Sequence, residues 1–218
     1  MEQFMVIGLG NFGFNVASAL SEAGKQVIAV DVNSKKAEEI SDKVRKAVTA
    51  DIRDRKALAE LVSANKIDAA IISLGNRLEA SILATVYLKE LKVARIIAKA
   101  SNEDHGTILQ AVGANEVIFP EREIANKLAR RLVKPNLIDY IPMAEEYGIV
   151  ELCVPDDFIG KTLMELQLRN KYRVEVIAIK NVLSDKFTIV PGGNYKIEPD
   201  TVMVIVGKNE YIEKIKDR

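Results

Sequence analysis

The residues whose types and spacing best indicate a ligand-binding site are three glycines near the start of the chain and an acid that follows them. Gly8, Gly10 and Gly13 form a Gly-x-Gly-x-x-Gly motif between an apolar run and a helical pattern, and Asp31 ends the next apolar run. In such a motif the glycines permit a tight turn, close approach of a phosphate and close helix packing. The helix N-terminus attracts the anion, and the acid accepts the ribose hydroxyls. The motif predicts an adenine-nucleotide site; the alternative is a tight turn in a sheet that binds nothing.

The elements around this motif alternate between strand and helix up to residue 120. We expect strands at 3–9, 26–31, 47–50, 69–74, 95–100 and 116–119, and helices at 11–23, 34–43, 54–63, 77–91 and 104–112. The strands are short continuous apolar runs, which is typical of parallel strands covered on both faces. The pattern therefore predicts an α/β fold with a doubly wound, Rossmann-like parallel sheet.

The rest of the chain predicts a connecting helix, a linker and a second, smaller α+β domain. A helical stretch follows Pro120, and a short apolar segment bounded by Pro135 and Pro142 follows that stretch. Short strands and Gly- or Pro-rich turns then alternate to the end. We predict a nucleotide-binding domain over 1–134, a crossover linker over 135–143 and an α+β domain over 144–218. The helix and linker form either a dimer arm or a sheet-covering helix with an interdomain connection.

Composition excludes several classes of protein. Lys plus Arg and Asp plus Glu are 31 each, whereas proteins that bind nucleic-acid backbones usually carry a basic excess, so we expect no nucleic-acid partner. A single cysteine rules out an internal disulfide and fits a reducing cytoplasm. The sequence has no signal-peptide pattern and no apolar run near the ~20 residues that span a bilayer. Any association with a membrane is therefore expected to go through a partner.

Three other polar residues receive simple interpretations. We expect His105 at the surface or beside a helix cap, because it opens a predicted helix next to an acid. Cys153 lies between apolar neighbours and is expected to be a small strand residue, with no base to activate it. Asp54 is expected to cap the following helix rather than to form a metal pair with Asp51.

Four segments together resemble a known family. They are Val-Ile-Gly-Leu-Gly-Asn-Phe-Gly (6–13), Val-Thr-Ala-Asp (48–51), Glu-Ala-Ser-Ile-Leu-Ala-Thr (79–85) and Val-Ile-Phe-Pro-Glu-Arg-Glu (117–123). The chain resembles the regulator-of-potassium-conductance (RCK/TrkA) domains over nearly its full length. It is most similar to the cytosolic regulatory subunits of bacterial Ktr and Trk potassium transporters. The glycine loop alone would not separate this family from dehydrogenases.

The resemblance implies a subunit that binds ATP, ADP or NAD(H) and does no chemistry. Such subunits form homodimers that assemble into an octameric ring beneath a membrane-embedded potassium channel or transporter subunit, and ligand-dependent changes of the ring gate it. The resemblance thus implies a cytoplasmic protein, peripheral to the inner face of the cell membrane. The alternative function is an NAD-dependent oxidoreductase on the same fold, which would need a general acid or base beside the nicotinamide.

The resemblance also assigns site residues by motif. The glycine loop would cradle the phosphates, the acid after the second strand would hold the ribose, and the ends of later strands would flank the adenine or approach the phosphates. The expected nucleotide-binding set is Gly8, Gly10, Asn11, Phe12, Gly13, Asp31, Val32, Asp51, Ile52, Ser73, Leu74, Gly75, Asn76, Arg77 and Lys99. Glu121 matches an acid that binds a divalent cation near the nucleotide in some Ktr subunits.

The chain departs from the family pattern at two places. Many Ktr subunits carry an arginine directly after the second glycine, where it senses the terminal phosphate of ATP, and this chain has Asn11. Loss of that charge-assisted contact would remove about 1.5–3 kcal/mol of discrimination, unless Arg77 supplies a cation from another direction. In the small domain, Arg169 and Pro191 match the cyclic di-AMP site of some relatives, but Glu175 replaces an asparagine. Because a carboxylate repels a phosphodiester, cyclic di-AMP is a disfavoured ligand.

Overall fold

The computed structural model describes residues 2–133, 137–183 and 186–216. The chain folds as two compact units, Met1–Arg122 and Glu123–Arg218. Among the described residues, no helix is both long and apolar enough to cross a membrane.

The first unit is a parallel sheet with helices between its strands. The strands are β1 (Gln3–Ile7), β2 (Gln26–Asp31), β3 (Lys46–Thr49), β4 (Ala69–Ile72), β5 (Arg95–Lys99) and β6 (Glu116–Ile118). The helices are α1 (Asn11–Glu22), α2 (Ser34–Ile40), α3 (Arg55–Asn65), α4 (Leu78–Glu90) and α5 (Glu103–Val112), and α6 (Pro120–Val133) follows. The strand order is β3-β2-β1-β4-β5-β6, with every pair parallel. This confirms the predicted doubly wound sheet, whose order reverses between β1 and β4.

Both faces of this sheet are covered, which explains the continuous apolar runs. Successive strand residues point to opposite faces. Met5 and Ile28 join one buried cluster, whereas Val6 and Val27 join another on the opposite side. The strands therefore have no solvent-facing row that would produce an apolar–polar alternation.

Side-chain caps fix where two of the helices begin. The Asp54 carboxylate accepts hydrogen bonds from the backbone N–H groups of Lys56 (2.9 Å) and Ala57 (3.3 Å), which confirms its interpretation as a cap. The Asn33 side chain accepts from the N–H of Lys35 (3.0 Å) at the start of α2. Each cap stabilises its helix by about 1 kcal/mol.

The second unit is a smaller antiparallel sheet with short helices. Its strands are β7 (Leu137–Ala144), β8 (Tyr147–Cys153), β9 (Val174–Asn181), β10 (Phe187–Ile189) and β11 (Thr201–Lys208), in the order β10-β9-β11-β8-β7. Its helices are α7 (Leu163–Leu166), α8 (Leu168–Tyr172) and α9 (Asn209–Lys216), with a 3-10 turn at Asp156–Phe158. The predicted α+β architecture is confirmed, and Cys153 ends a strand as expected.

The segment 135–143, predicted as a linker, is a strand over most of its length. Residues Leu137–Ala144 pair antiparallel with β8 at the edge of the second sheet. Tyr140 packs against the core of this unit, and its ring lies over Gly148, where an added Cβ would come within 2.4 Å. An edge strand tolerates proline, so Pro142, one of the two prolines that suggested a linker, does not prevent pairing. Residues 134–136 lie outside the described residues, so the domain boundary expected at residue 134 stays a prediction.

Of the two positions expected for His105, the surface is wrong, because the residue is only 2% exposed. The position beside a helix cap is confirmed, because the backbone N–H of His105 donates to the capping side chain of Asn102 (2.8 Å). Its Nδ1 accepts from the backbone N–H of Ser101 (3.2 Å), so the hydrogen is on Nε2, which donates to the Ser81 hydroxyl (2.7 Å). The Ser81 hydroxyl in turn donates to the carbonyl of Leu78. Burial lowers the pKa of this imidazole. His105 is a neutral link between α4 and α5, and its partner Ser81 is too distant in sequence to be recognised.

Candidate nucleotide-binding site

The glycine loop lies at the point where the strand order reverses. It connects β1 to α1, and Gly10 is the residue before the first helical turn. No described side chain caps this helix. In open α/β sheets ligands bind at such a point, where the helix N-terminus presents unpaired N–H groups and a partial positive charge.

The three glycines have separate mechanical roles. Gly8 has a φ of +91°, and a Cβ there would lie 2.2 Å from the carbonyl oxygen of Ser73. A Cβ on Gly13 would lie 1.9 Å from the carbonyl oxygen of Gly8. A Cβ on Gly10 would meet no protein atom within 4 Å, so this glycine faces open space. The first and third glycines are required by the fold, and the second keeps the cleft clear.

Asp31 joins the loop to the next helix as well as facing the cleft. It is 4% exposed, and its Oδ2 accepts from the N–H of Leu9 (2.7 Å) while its Oδ1 accepts from the N–H of Asn33 (2.9 Å). Each carboxylate oxygen has a further lone pair. Asp31 therefore can accept ribose hydroxyls without giving up its two backbone contacts.

A cavity of about 340 Å³ opens on one side of Asp31. Side chains from the ends of β1, β2 and β4 line it together with the loop after β3. The residues around it are Ile7, Val30, Asp31, Val32, Ala50, Asp51, Ile52, Arg53, Leu74, Arg77, Leu78, Glu79 and Ala80. The apolar side chains among these residues suit the faces of a flat purine ring, and the charged ones can orient the ring edge.

Asp51 forms an ion pair that the sequence analysis did not predict. The guanidinium of Arg53 donates to both carboxylate oxygens, from Nε to Oδ1 (3.0 Å) and from Nη2 to Oδ2 (2.6 Å). These hydrogen bonds lower the pKa of Asp51 to about 2. Asp51 is therefore a charged acceptor at neutral pH, already bound on one side by Arg53.

A second cavity of about 400 Å³ lies on the glycine-loop side of Asp31. The loop, the ends of β4 and β5 and the first turn of α6 line it. The residues around it are Gly8, Gly10, Asn11, Phe12, Asp31, Lys36, Ser73, Leu74, Gly75, Arg77, Lys99 and Glu121. Of the predicted site residues, only Gly13 and Asn76 line neither cavity. The structure thus brings the others together, and their contact with a nucleotide stays a prediction.

Lys99 and Glu121 form an ion pair at this end of the cleft. The Lys99 ammonium lowers the pKa of the Glu121 carboxyl, and it also lies 5.7 Å from the centre of the Phe12 ring. Within the described ranges, no three candidate ligand side chains form a metal cluster.

Comparisons with known proteins identify the family. The TrkA-N domain model matches residues 4–120, and the TrkA-C domain model matches residues 149–218. Ktr system potassium uptake protein C of Bacillus subtilis (strain 168) is 34% identical over 217 residues, covering 100% of this chain and 97% of that protein. Ktr system potassium uptake protein A of the same organism is 32% identical, covering 99% of this chain and 96% of that protein.

Solved structures share the fold. The GsuK channel superposes with a TM-score of 0.68 at 19% identity, covering 97% of this chain and 38% of that chain. The GsuK channel bound to NAD gives a TM-score of 0.65 at 18% identity, covering 99% and 39%. The fold and the cleft define a two-domain protein with a Rossmann-like first domain. The chain belongs to the family of TrkA-N and TrkA-C domain proteins, together with these Ktr potassium uptake proteins.

Proposed function

We propose that this protein is a nucleotide-sensing regulatory subunit of a potassium channel or transporter, and not an enzyme. The observation that carries the proposal is the pair of cavities on either side of Asp31. One is lined by apolar and charged side chains that suit adenine, and the other has a helix N-terminus and cations for phosphates. Asp31 lines both cavities and would hold the ribose between them. The Ktr relatives are named as potassium uptake proteins and are similar to this chain over nearly their full length. This similarity supports potassium transport as the process that the subunit regulates.

Sensing requires that the ligand bind one arrangement of subunits better than another. A second copy of the chain has a surface available to it on α6. Ile124, Leu128 and Leu132 are spaced four residues apart on this helix, and they are 66%, 52% and 74% exposed. Such a stripe forms one apolar face, which a second copy would cover. We propose a homodimer through this face and, from the resemblance, an octameric ring at the inner face of the cell membrane.

We also propose Glu121 as a ligand of a divalent cation. Its carboxylate is now paired with Lys99, and both side chains line the phosphate end of the cleft. Phosphate oxygens that attract Lys99 would release Glu121 to bind a cation held by those same oxygens. Nucleotide and cation should therefore bind cooperatively.

The two other candidate functions fit the site less well. An oxidoreductase needs an acid or base beside the nicotinamide, but the single histidine of the sequence is buried away from the cleft in its contact with Ser81. A cyclic di-AMP site in the small domain would use Arg169. Here the Arg169 guanidinium is 2.6 Å from the Glu175 carboxylate, so a phosphate would have to compete with Glu175 for this cation. We therefore propose ATP, ADP or NAD(H), and not cyclic di-AMP, as the ligand.

The test combines binding with mass in solution. The full chain is titrated with ATP, ADP, NAD, NADH and cyclic di-AMP by calorimetry, and its mass is measured with each by light scattering. We expect binding of at least one adenine nucleotide, a ring-sized assembly and no turnover of NADH. A protein that binds none of the nucleotides, or a discrete dimer that oxidises NADH with a substrate, would refute the proposal.

A further inference from the structure

The phosphate end of the cleft contains a positively charged residue that no motif accounts for. Asn11 leaves the glycine loop without a cation, and three basic residues among the described ones line this cavity. Lys99 is paired with Glu121, and Arg77 lines both cavities from an exposed position. The third is Lys36, which the sequence analysis passed over.

Lys36 is held in place by the elements that build the ribose site. It lies in the first turn of α2, which begins at the Asn33 cap, and the N–H of Asn33 donates to Asp31. The neighbouring Ala37 is 5% exposed and packs into the interior, which fixes the rotation of the helix. Lys36 therefore reaches the cavity from a rigid helix, and not from a loop.

The environment of Lys36 lacks a partner for its charge. The residue is partly buried, and it forms no ion pair or hydrogen bond with any described residue. Among the described residues around the same cavity, the carboxylates are Asp31, which forms no ion pair with Lys36, and Glu121, which is bound to Lys99. An ammonium that is partly removed from water gains most from an anion brought by a ligand.

We propose that Lys36 is a phosphate-binding residue of this cleft and supplies the positive charge that Asn11 does not. This inference rests on the proposed function, because it assumes that the cleft binds an adenine nucleotide. It assigns to α2 a part in recognising the phosphate chain, in addition to the glycine loop and the ends of β4 and β5.

Lys35 provides a matched control. It is the preceding residue on the same helix and carries the same charge, but it is exposed and lines neither cavity. Successive residues of a helix are about 100° apart, so Lys35 and Lys36 face different directions. Lys35→Gln and Lys36→Gln change the net charge equally, and only the second removes a cation from the cleft.

The experiment is calorimetric titration of ADP and ATP into the full chain and its variants, with thermal melts to verify folding. We expect Lys36→Gln to weaken both ligands by about tenfold or more, the size of a charge-assisted hydrogen bond. Lys36→Arg should restore most of the affinity, and Lys35→Gln should stay within twofold of the wild type.

A loss below twofold in Lys36→Gln, or an equal loss in Lys35→Gln, would overturn the assignment of Lys36 while wild-type binding upholds the proposed function. A wild-type protein that binds neither ADP nor ATP would overturn the assignment of Lys36, and one that binds none of ATP, ADP, NAD and NADH would overturn the proposed function as well.

Discussion

Alanine at two glycines of the same loop should separate folding from binding. At Gly13 the added Cβ would be 1.9 Å from the carbonyl oxygen of Gly8, about half a normal contact distance. The obstacle is backbone, so no side-chain rotation relieves it. Overpacking of this kind costs about 3 kcal/mol. For a domain of this size we expect Gly13→Ala to lower the melting temperature by roughly 10 °C.

At Gly10 the same substitution meets no protein atom within 4 Å, and its φ of −71° is accessible to alanine. The weaker helix start and the stiffer unfolded chain nearly offset each other, so stability should change by less than about 1 kcal/mol. The new methyl group would occupy the approach to the helix N-terminus. We therefore expect Gly10→Ala to melt like the wild type and to bind ADP at least tenfold more weakly.

Circular dichroism melts and calorimetric titrations with ADP measure both variants. An unchanged melting temperature in Gly13→Ala would refute the packing argument. Wild-type affinity in Gly10→Ala would refute the inference that phosphate lies against this glycine.

Three further predictions follow from individual contacts. Because burial lowers the pKa of His105 from its ordinary 6.5, the unfolded chain takes up a proton that the folded chain refuses. Stability should therefore fall as the pH drops below about 6.5, and urea denaturation at pH 7.5 and 5.5 should show a smaller difference in His105→Gln. Replacing Arg53 by alanine should raise the pKa of Asp51 from about 2 towards 3.8, which an NMR titration would detect; an unshifted carboxyl would show that Arg53 is not the cause. Glu121→Gln should free Lys99, strengthen ADP binding without metal and abolish the gain from added magnesium; titrations with and without the metal decide this, and a persistent gain would exclude Glu121 as the ligand.

Local patterns in the sequence were sufficient to predict the first unit. The β1–loop–α1 segment combines an apolar run, spaced glycines and a helical period within a short stretch, and each signal indicates the same structure. The Asp54 cap is equally local, since its partners lie two and three residues away.

The features that the sequence missed depend on distant or ambiguous partners. The strand β7 contains a proline, which only its place at a sheet edge explains. His105 is buried by Ser81, which lies 24 residues earlier. The sequence does not show which of Lys35 and Lys36 faces the cleft, because they are adjacent lysines in a charged helix. Only the rotation of α2 against the sheet shows that it is Lys36.

The two backbone contacts of Asp31 have a consequence for how a signal could arise. One fastens the glycine loop and the other fastens the start of α2, so both walls of the ribose position are tied to one buried carboxylate. The two contacts hold the loop and the start of α2 in place before a ligand binds. The protein therefore loses little conformational freedom when a nucleotide enters. Binding free energy is then not consumed in ordering the loop. In the proposed regulatory subunit it would remain available to favour one arrangement of neighbouring chains.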